Sequence, residues 1–294
     1  MPSSFPTDDD SGFSSSGALY VVATPIGNMD DITLRALNIL KNADTVAAED
    51  TRHTGKLLAY HKIKCKLISY HEHNEGERTP LLIQKLKEGS AIALVSNAGT
   101  PSVSDPGYRL IQEAVAGGIK VIPVPGANAA IAALSVSGLP TDSFTFIGFL
   151  PRKKGKRHTL LKKLSGEPRT IIFYESQRRI LALIEELLMI LGDRYAVLSR
   201  EMTKLHEEFI RGLLSEILQG LGERNPVKGE CTLLVEGRDE DKESSRATLR
   251  SELEKGLKNP RTKLSELVKE MTLKFSLPRN VVYAEALKIK KKAD

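Results

Sequence analysis

The sequence contains no tryptophan and only two cysteines among its 294 residues. Cys65 and Cys231 lack the spacing of metal ligands, and two isolated thiols fit a reducing compartment, so we expect a cytoplasmic protein. Aromatic residues make up 5% of the chain, which argues against a base-stacking platform for nucleic acid. No apolar run approaches the roughly 20 residues that a membrane-spanning helix needs. These absences indicate a globular protein without a membrane span.

Several familiar signatures are missing as well. Residues 1–17 have neither the basic nor the apolar region of a secretory signal, and we expect them to form a disordered tail. The segment "ATPIGN" has a single glycine and matches neither the dinucleotide nor the Walker phosphate loop. No G-x-S-x-G elbow is present. The histidines of "HEHNEGE" lack a third convincing ligand, so we expect no metal site.

Positive charge is distributed unevenly along the chain. The net charge is +6, and residues 241–294 alone hold 14 Lys or Arg against 8 Asp or Glu. A second basic cluster, "PRKKGKRHTLLKK" at residues 151–163, carries seven bases and no acid. A single run of this kind is often a solvated face. Two clusters beside a neutral body favour a polyanionic partner such as nucleic acid.

The arrangement of apolar runs predicts an α/β fold. Between residues 18 and 140, runs such as "ALYVVAT", "AIALV" and "IKVIPV" alternate with amphipathic helical segments. Continuous apolar strands separated by helices are typical of a mostly parallel sheet covered on both faces. We therefore predict an N-terminal α/β domain over residues 18–140.

A second alternation follows the first basic segment. The strands "RTIIFYES", "YAVLSREM" and "GECTLLVEG" are interleaved with the helices "RRILALIEELLMILG" and "RGLLSEILQGLG". We predict a C-terminal α/β domain over residues 141–237 and a charged linker over residues 238–247. Residues 248–294 are expected to form a small basic helical extension, with a turn at residues 276–278.

Polar residues follow the predicted strands of the first domain. "AEDTRHT" places Glu49, Asp50, Arg52 and His53 after the second strand, while "NAGTPSVSDPG" and "VPGANAA" follow two later ones. Glycine permits close backbone approach in such loops, and proline restricts them. Ligands of open α/β sheets bind at the carboxyl ends of the strands. The pattern favours one cleft for a medium-sized polar ligand.

These segments resemble a known family. "TPIGNMDDITLRALNILKNADTVAAEDTRHTGKLL", "AGTPSVSDPG", "PGANAAIAALSVSGLP", "FIGFLPRKKGKR", "FYES", "REMTKLHEE" and "KGECTLLVEG" occur in the order typical of the bacterial small-subunit ribosomal RNA cytidine 2′-O-methyltransferases. These belong to the tetrapyrrole-methylase-like class III methyltransferases. The resemblance covers residues 18–237. One departure is Asn97, where the family usually has Asp, so the hydrogen-bonding shape is kept and the charge is lost.

The resemblance implies two α/β domains of the tetrapyrrole methylase type with the cofactor cleft between them, and a homodimer. It implies S-adenosyl-L-methionine as the cofactor and 16S rRNA in the 30S subunit as the partner, with no metal. The positions that match cofactor-contacting segments of the family are Pro25, Gly99, Thr100, Pro101, Ser102, Val103, Ser104, Asp105, Ala127, Asn128, Ala129, Ala130, Tyr174, Glu175, Met202, Thr203, Cys231 and Thr232.

The implied reaction is direct displacement, in which a cytidine ribose 2′-hydroxyl attacks the sulfonium methyl group. A base that accepts the hydroxyl proton would assist it, and we predict this base among Glu49, Asp50, His53 and Glu175. The RNA backbone is expected to contact exposed cations at Arg52, Arg152, Lys153, Lys154, Lys156 and Arg157.

Two other functions stay open at the level of sequence. An enzyme of the same fold could methylate a tetrapyrrole or a protein side chain, but that reading gives the two basic clusters no role. A non-catalytic ribosome-assembly factor could retain the fold with an inactive cofactor site.

Overall fold

A computed structural model describes residues 17–223, 229–257, 263–275, and positions 279, 282, 283, 285–287 and 289. The expected tail lies outside these residues except for Gly17. The chain forms two compact units: one contains both β-sheets, and the other contains residues 166–168 and the chain from residue 237 onward.

The first sheet is entirely parallel, in the order β3-β2-β4-β1-β5. Its strands are β1 (Ala18–Val22), β2 (Thr45–Ala48), β3 (Leu67–Ser69), β4 (Ala91–Val95) and β5 (Lys120–Val124). The central strand β4 is buried along its whole length, as its unbroken apolar sequence predicts. All five carboxyl ends point to one edge, where the predicted polar loops emerge.

Helices cover both faces of the first sheet. They are α1 (Leu34–Asn42), α2 (Thr51–Tyr60), α3 (Glu75–Lys87) and α4 (Tyr108–Ala116). Residues of α1 and α2, such as Leu40 and Leu58, pack on one face, and residues of α3 and α4, such as Leu86 and Leu110, pack on the other. This arrangement, a parallel sheet between two layers of helices, matches the predicted α/β class.

The second sheet has the order β6-β7-β10-β8-β9 and is parallel only between β6 and β7. Its strands are β6 (Phe144–Phe149), β7 (Thr170–Glu175), β8 (Tyr195–Arg200), β9 (Glu208–Leu213) and β10 (Cys231–Val235). The strand β9 includes residues 211–213, which the sequence analysis assigned to a helix. The helix begins only at Leu214, because the preceding six residues pair antiparallel with β8.

The second sheet is also covered on both faces. The helices α6 (Lys154–Leu164), α7 (Ile180–Leu191) and α8 (Leu214–Gly222) pack on one face. The other face is covered by α5 (Ala129–Ser135), which follows the last strand of the first sheet. Buried residues of α5 such as Ala133 and Leu134 pack against Ile172 and Leu234 of the second sheet. One helix therefore joins the cores of the two sheets.

The C-terminal unit contains α9 (Glu240–Leu257) and α10 (Leu264–Phe275) around a small apolar core. Residues 240–247, interpreted above as part of a linker, are helical. Their sequence lacks Gly and Pro and is rich in residues compatible with a helix. The turn expected at residues 276–278 lies outside the described residues.

Gly27 offers a test of how the loop after β1 packs. A Cβ at this position would lie 2.6 Å from Thr203 Oγ1 and Lys204 Cγ, and 2.9 Å from the carbonyl oxygen of Met202. Because that carbonyl is backbone, we expect Gly27→Ala to lower the free energy of unfolding by about 1–3 kcal/mol. Urea unfolding measures the change.

Gly55→Ala is the matched control. Gly55 lies inside α2, and its nearest atom to a new Cβ is 3.9 Å away. Removing glycine from a helix stabilises it by about 0.5–1 kcal/mol. Equal unfolding midpoints for Gly27→Ala and the unsubstituted protein would contradict the proposed close packing.

Candidate active site

The loops that follow β1 and β4 are tied together by backbone hydrogen bonds. The amide of Thr24 donates to the carbonyl of Gly99, and the amide of Gly99 donates back to Thr24, both at 2.9 Å. The Thr24 hydroxyl also donates to the carbonyl of Ser96 at 3.1 Å. This isolated two-residue bridge fixes the start of the glycine- and proline-containing loop.

The loop from Gly99 to Gly107 has an unusual backbone. Gly99 has φ +76°, and two non-glycine residues, Ser102 and Ser104, also have positive φ values of 67° and 66°. Non-glycine residues rarely adopt this conformation, and such strain is found preferentially at functional sites. Its tight curvature places Val103, Ser104 and Asp105 beside the carboxyl ends of the strands.

A second contact brings the other sheet to this edge. Asn128 caps α5, accepting from the amides of Ala130 and Ile131 at 3.1 and 3.2 Å. The amide of Ala130 also donates to the hydroxyl of Tyr174, at the end of β7, at 3.0 Å. Asn128 therefore has a structural role in addition to its position in the loop, and Tyr174 connects the two sheets.

A cavity of about 350 Å³ lies where these segments meet. Eleven of the residues predicted from family resemblance line it: Gly99, Thr100, Val103, Ser104, Asp105, Asn128, Ala129, Tyr174, Glu175, Cys231 and Thr232. Sequence reasoning missed five lining residues: Ile26, Ala98, Phe149, Ser176 and Glu230. Four of these adjoin predicted positions, so widening each motif by one residue would have found them. Phe149 gave no such signal.

The remaining predicted cofactor residues are close to the cavity but do not line it: Pro25, Pro101, Ser102, Ala127, Ala130, Met202 and Thr203. Met202 is buried in the core on the α5 face of the second sheet. The Thr203 hydroxyl accepts a hydrogen bond from the amide of Asn28 at 3.0 Å. These two residues support the wall of the cavity, since they hold the loop after β1 against the second sheet.

The carboxylate of Asp105 has a pKa well above its usual range. Burial and the nearby charge of Glu49 raise its pKa to about 6, partly offset by a hydrogen bond with Ser96. Glu49 accepts from the amide of Asn97 at 3.1 Å. A pKa near neutrality together with a position in a cavity is typical of a functional group.

Asn97 binds Glu49 through its backbone amide and directly follows Ser96, the hydrogen-bond partner of Asp105. Its side-chain oxygen is buried and has no hydrogen-bond partner among the described residues. An aspartate here would add a third negative charge near Glu49 and Asp105. The asparagine avoids that repulsion and leaves a buried acceptor unsatisfied, which carries a desolvation cost.

Three of the four predicted proton acceptors, Glu49, Asp50 and His53, do not line the cavity. Asp50 is the N-cap of α2 and binds Arg52 through the backbone amide at 2.8 Å and the guanidinium at 3.0 Å. The hydrogen bonds from Arg52 lower the pKa of Asp50 to about 2. His53 is exposed on α2, and neither residue lines the cavity.

Glu175 lies in the cavity wall, and its carboxylate accepts three hydrogen bonds. Its carboxylate accepts from Arg179 Nε at 2.8 Å, from Arg179 Nη2 at 2.7 Å and from the amide of Ser176 at 2.7 Å. The side chain is 3% exposed. A bidentate guanidinium pair of this kind holds a buried carboxylate in one orientation.

The predicted RNA-contacting residues differ in their surroundings. Arg152, Lys153, Lys154 and Lys156 are exposed at the start of α6, and Arg52 is 89% exposed but paired with Asp50. Arg157 instead donates from Nε to the nearly buried carboxylate of Glu186 at 2.5 Å. The sequence could not distinguish this structural arginine from its solvent-exposed neighbours.

Among the residues that the structure describes, no three His, Cys, Asp or Glu side chains are grouped as metal ligands. Within the same part of the chain, every helix is too short or too polar to cross a bilayer.

Comparison with known families decides the classification. The model of the tetrapyrrole (corrin/porphyrin) methylases matches residues 18–218, which contain the whole first sheet and four of the five strands of the second. The chain belongs to the tetrapyrrole methylase family. Its solved relatives include the uroporphyrin-III-C-methyltransferase of Thermus thermophilus. That structure is 26% identical, has a TM-score of 0.51 and covers 75% of this tetrapyrrole methylase and 94% of its own chain.

This tetrapyrrole methylase is also similar to proteins with a more specific name. Ribosomal RNA small subunit methyltransferase I of Halalkalibacterium halodurans is 53% identical over 76% of this chain and 77% of its own length. The protein of the same name from Synechocystis is 46% identical over 93% of this chain and 98% of its own length. The second alignment includes the C-terminal unit, so that unit also has a counterpart among relatives.

The elevated pKa of Asp105 predicts how stability depends on pH. Since the folded protein binds this proton more tightly than the unfolded chain, the free energy of unfolding falls as pH rises from about 4 to about 6. We expect Asp105→Asn to remove the penalty and to be more stable above pH 6, by about 1 kcal/mol after solvent screening. The difference should vanish near pH 4.

Urea unfolding at pH 4.5 and pH 7.5 measures this effect. Asp142→Asn is the control, because Asp142 is exposed and lies outside the cavity. A decrease in stability of Asp105→Asn at pH 7.5, or the same difference at both pH values, would contradict the assignment.

Proposed function

We propose that this chain transfers a methyl group from S-adenosyl-L-methionine to the 2′-hydroxyl of a cytidine ribose in 16S rRNA of the small ribosomal subunit. The observation that carries the proposal is the cavity itself. Strand ends of both sheets converge on it, and an exposed basic segment begins at Arg152, three residues after Phe149 in its wall. The names of the relatives support a ribosomal RNA substrate.

The residues present fit this cofactor. S-adenosylmethionine supplies an electrophilic methyl group on a sulfonium, and it also carries an ammonium charge. Small residues such as Gly99 and Ala129 leave the cavity open, while Asp105, Glu175 and Glu230 give it acidic walls. Carboxylates in a partly dry cavity favour a cationic ligand. Asp105 is the residue we expect to hold a positive group, because Glu175 is already paired with Arg179 and Glu230 with Lys204.

Asp105 is also the cavity carboxylate best suited to accept the hydroxyl proton. A general base works best when its pKa is near the working pH, and the pKa of Asp105 is about 6. Of the four acceptors expected from the sequence, Glu49 acts on Asp105 through its charge, Glu175 is held by Arg179, and the exposed His53 does not line the cavity. The Asp50 carboxylate caps the N-terminus of α2 and forms an ion pair with Arg52. Orientation of the hydroxyl near the methyl donor supplies much of the remaining catalysis.

The start of α6 is suited to phosphate. Lys153 and Lys154 stand at the helix N-terminus, no acidic residue occupies the first turn, and the N-cap makes no side-chain hydrogen bond. Cationic side chains at the positive N-terminal end of a helix dipole are destabilising. A bound anion would offset this repulsion. A phosphate of the RNA backbone would be stabilised by both the lysines and the free amides.

Two further readings are distinguished by experiment. If the substrate were a tetrapyrrole or a protein side chain, the basic start of α6 would have no role. A non-catalytic assembly factor would transfer no methyl group. The homodimer and the cytoplasmic location expected above stay predictions.

The basic segment can be tested through salt dependence. The triple variant Lys153→Ala, Lys154→Ala, Lys156→Ala should weaken binding to 30S subunits. It should also reduce the slope of log K against log salt by up to about 2, since each phosphate contact contributes roughly 0.7. Filter binding over a range of salt concentrations measures the slope.

Two controls accompany this measurement. Lys41, Lys87 and Lys120 are exposed lysines scattered over the first sheet and its helices, and replacing all three with Ala should leave the slope unchanged. Arg157→Ala should lower the unfolding midpoint instead, because it leaves Glu186 buried without its partner. An unchanged slope in the triple variant would remove the start of α6 from the RNA interface.

The function itself is tested by transfer of labelled methyl from S-adenosylmethionine to 30S subunits, followed by mapping of the modified nucleotide. We expect label on one cytidine ribose of 16S rRNA. Calorimetry with S-adenosylmethionine, run in parallel, separates the alternatives: binding heat without transfer to RNA indicates another substrate, and no heat indicates an inactive site. Label on a base would contradict the 2′-O assignment.

A further inference from the structure

A β-bulge turns one aromatic ring toward the cavity. Phe144 and Phe146 of β6 pack on the α5 face of the second sheet, and Ile147 packs on the opposite face. Strict alternation would place Phe149 on the same face as Ile147. The register between β6 and β7 instead shifts between Phe146 and Gly148, so that Phe149 lies opposite Tyr174.

The ring contacts confirm this orientation. Tyr174 meets Phe146 edge-to-face at a centroid distance of 5.1 Å and Phe149 at 5.7 Å. All three rings therefore lie on one side of the sheet, the side that carries the cavity wall. Bulges are over-represented next to active sites, where they redirect a side chain.

Gly148 makes the bulge possible. Its φ is +67°, and a Cβ there would lie 2.4 Å from the hydroxyl oxygen of Ser104 in the loop of the first sheet. The conformation and the close approach both require glycine. The direction of Phe149 is thus coupled to the loop that carries Asp105.

Phe149 differs from the other apolar residues of the cavity because it is exposed. Its side chain is 56% exposed, while Ile26, Ala98, Val103 and Ala129 are partly buried. The exposed cation Arg152 follows three residues later, and Lys153 and Lys154 come next. An exposed ring at the mouth of a cavity, followed by cations, combines the two elements that recognise single-stranded nucleic acid: a stacking surface and charges for phosphate.

We propose that Phe149 stacks against the base of the nucleotide whose ribose is methylated. This inference rests on the proposed function and extends it by naming the residue that places the target nucleotide. Stacking an unpaired base on Phe149 would hold its ribose at the cavity, while the start of α6 binds the adjoining phosphates. The low aromatic content of the chain is compatible with this role, because a single ring is enough for a single base.

The competing occupant of Phe149 is the cofactor's adenine, and the two are distinguished by separate binding measurements. The variants are Phe149→Ala, which removes the ring, Phe149→Leu, which keeps an apolar side chain, and Phe149→Tyr, which restores an aromatic face. Met189→Ala is the control, because Met189 is 79% exposed on α7 and does not line the cavity. For each variant we would measure methyl transfer to 30S subunits, the Kd for S-adenosylmethionine by calorimetry, and the unfolding midpoint.

We expect Phe149→Ala and Phe149→Leu to lower kcat/KM for 30S subunits by about tenfold to a hundredfold, the range typical of one base stack. Phe149→Tyr should retain most of the activity, and the Kd for S-adenosylmethionine should stay within twofold in every variant. An unchanged kcat/KM in Phe149→Ala would overturn the inference while the proposed function stood. A parallel loss of cofactor affinity would assign the ring to adenine and overturn it as well.

Failure of the proposed function gives a different result. In that case the unsubstituted protein itself transfers no methyl group to 30S subunits, and the stacking role is overturned with it. Full activity of Phe149→Leu beside a loss in Phe149→Ala would also overturn stacking, because an apolar side chain without a π-face would then be sufficient.

Discussion

The site depends on the packing of α5 against the second sheet. This helix continues directly from the first sheet, yet its buried residues Ala133 and Leu134 belong to the core of the second. The hydrogen bond from the Ala130 amide to Tyr174 fixes the same junction at the cavity. Because the helix belongs to both halves of the molecule, the strand ends of both sheets are held around one cavity.

The carboxylates that line the cavity differ in whether they are paired with a cation. Glu175 is neutralised by a bidentate contact with Arg179, and Glu230 is paired with Lys204 at 2.9 Å. Within the part of the chain that the structure describes, Asp105 forms no such ion pair, and its burial raises its pKa. This difference in ion pairing is the reason that Asp105 is the carboxylate we expect to exchange a proton near neutral pH.

The sequence predicts the first sheet and its loops well because parallel strands buried on both faces are continuous apolar runs. It fails where tertiary pairing decides the structure. Residues 211–213 were predicted as the start of a helix, but their pairing with β8 makes them extended. Lys156 and Arg157 are neighbouring cations whose environments the sequence does not distinguish. Arg157 pairs with Glu186, whereas Lys156 is exposed to solvent. Phe149 was not predicted because the bulge changes which face of the sheet its side chain occupies, and the alternation of side chains along a regular strand does not show this.

The strand order of the second sheet has a consequence for biosynthesis. Strand β10 is near the end of this unit in sequence but lies between β7 and β8 in space. A chain emerging from the ribosome therefore cannot complete the sheet until residues 231–235 have been made, because its two inner strands lack their common neighbour before then. Since Cys231 and Thr232 also line the cavity, the wall of this cavity is complete only after nearly four-fifths of the chain has been translated.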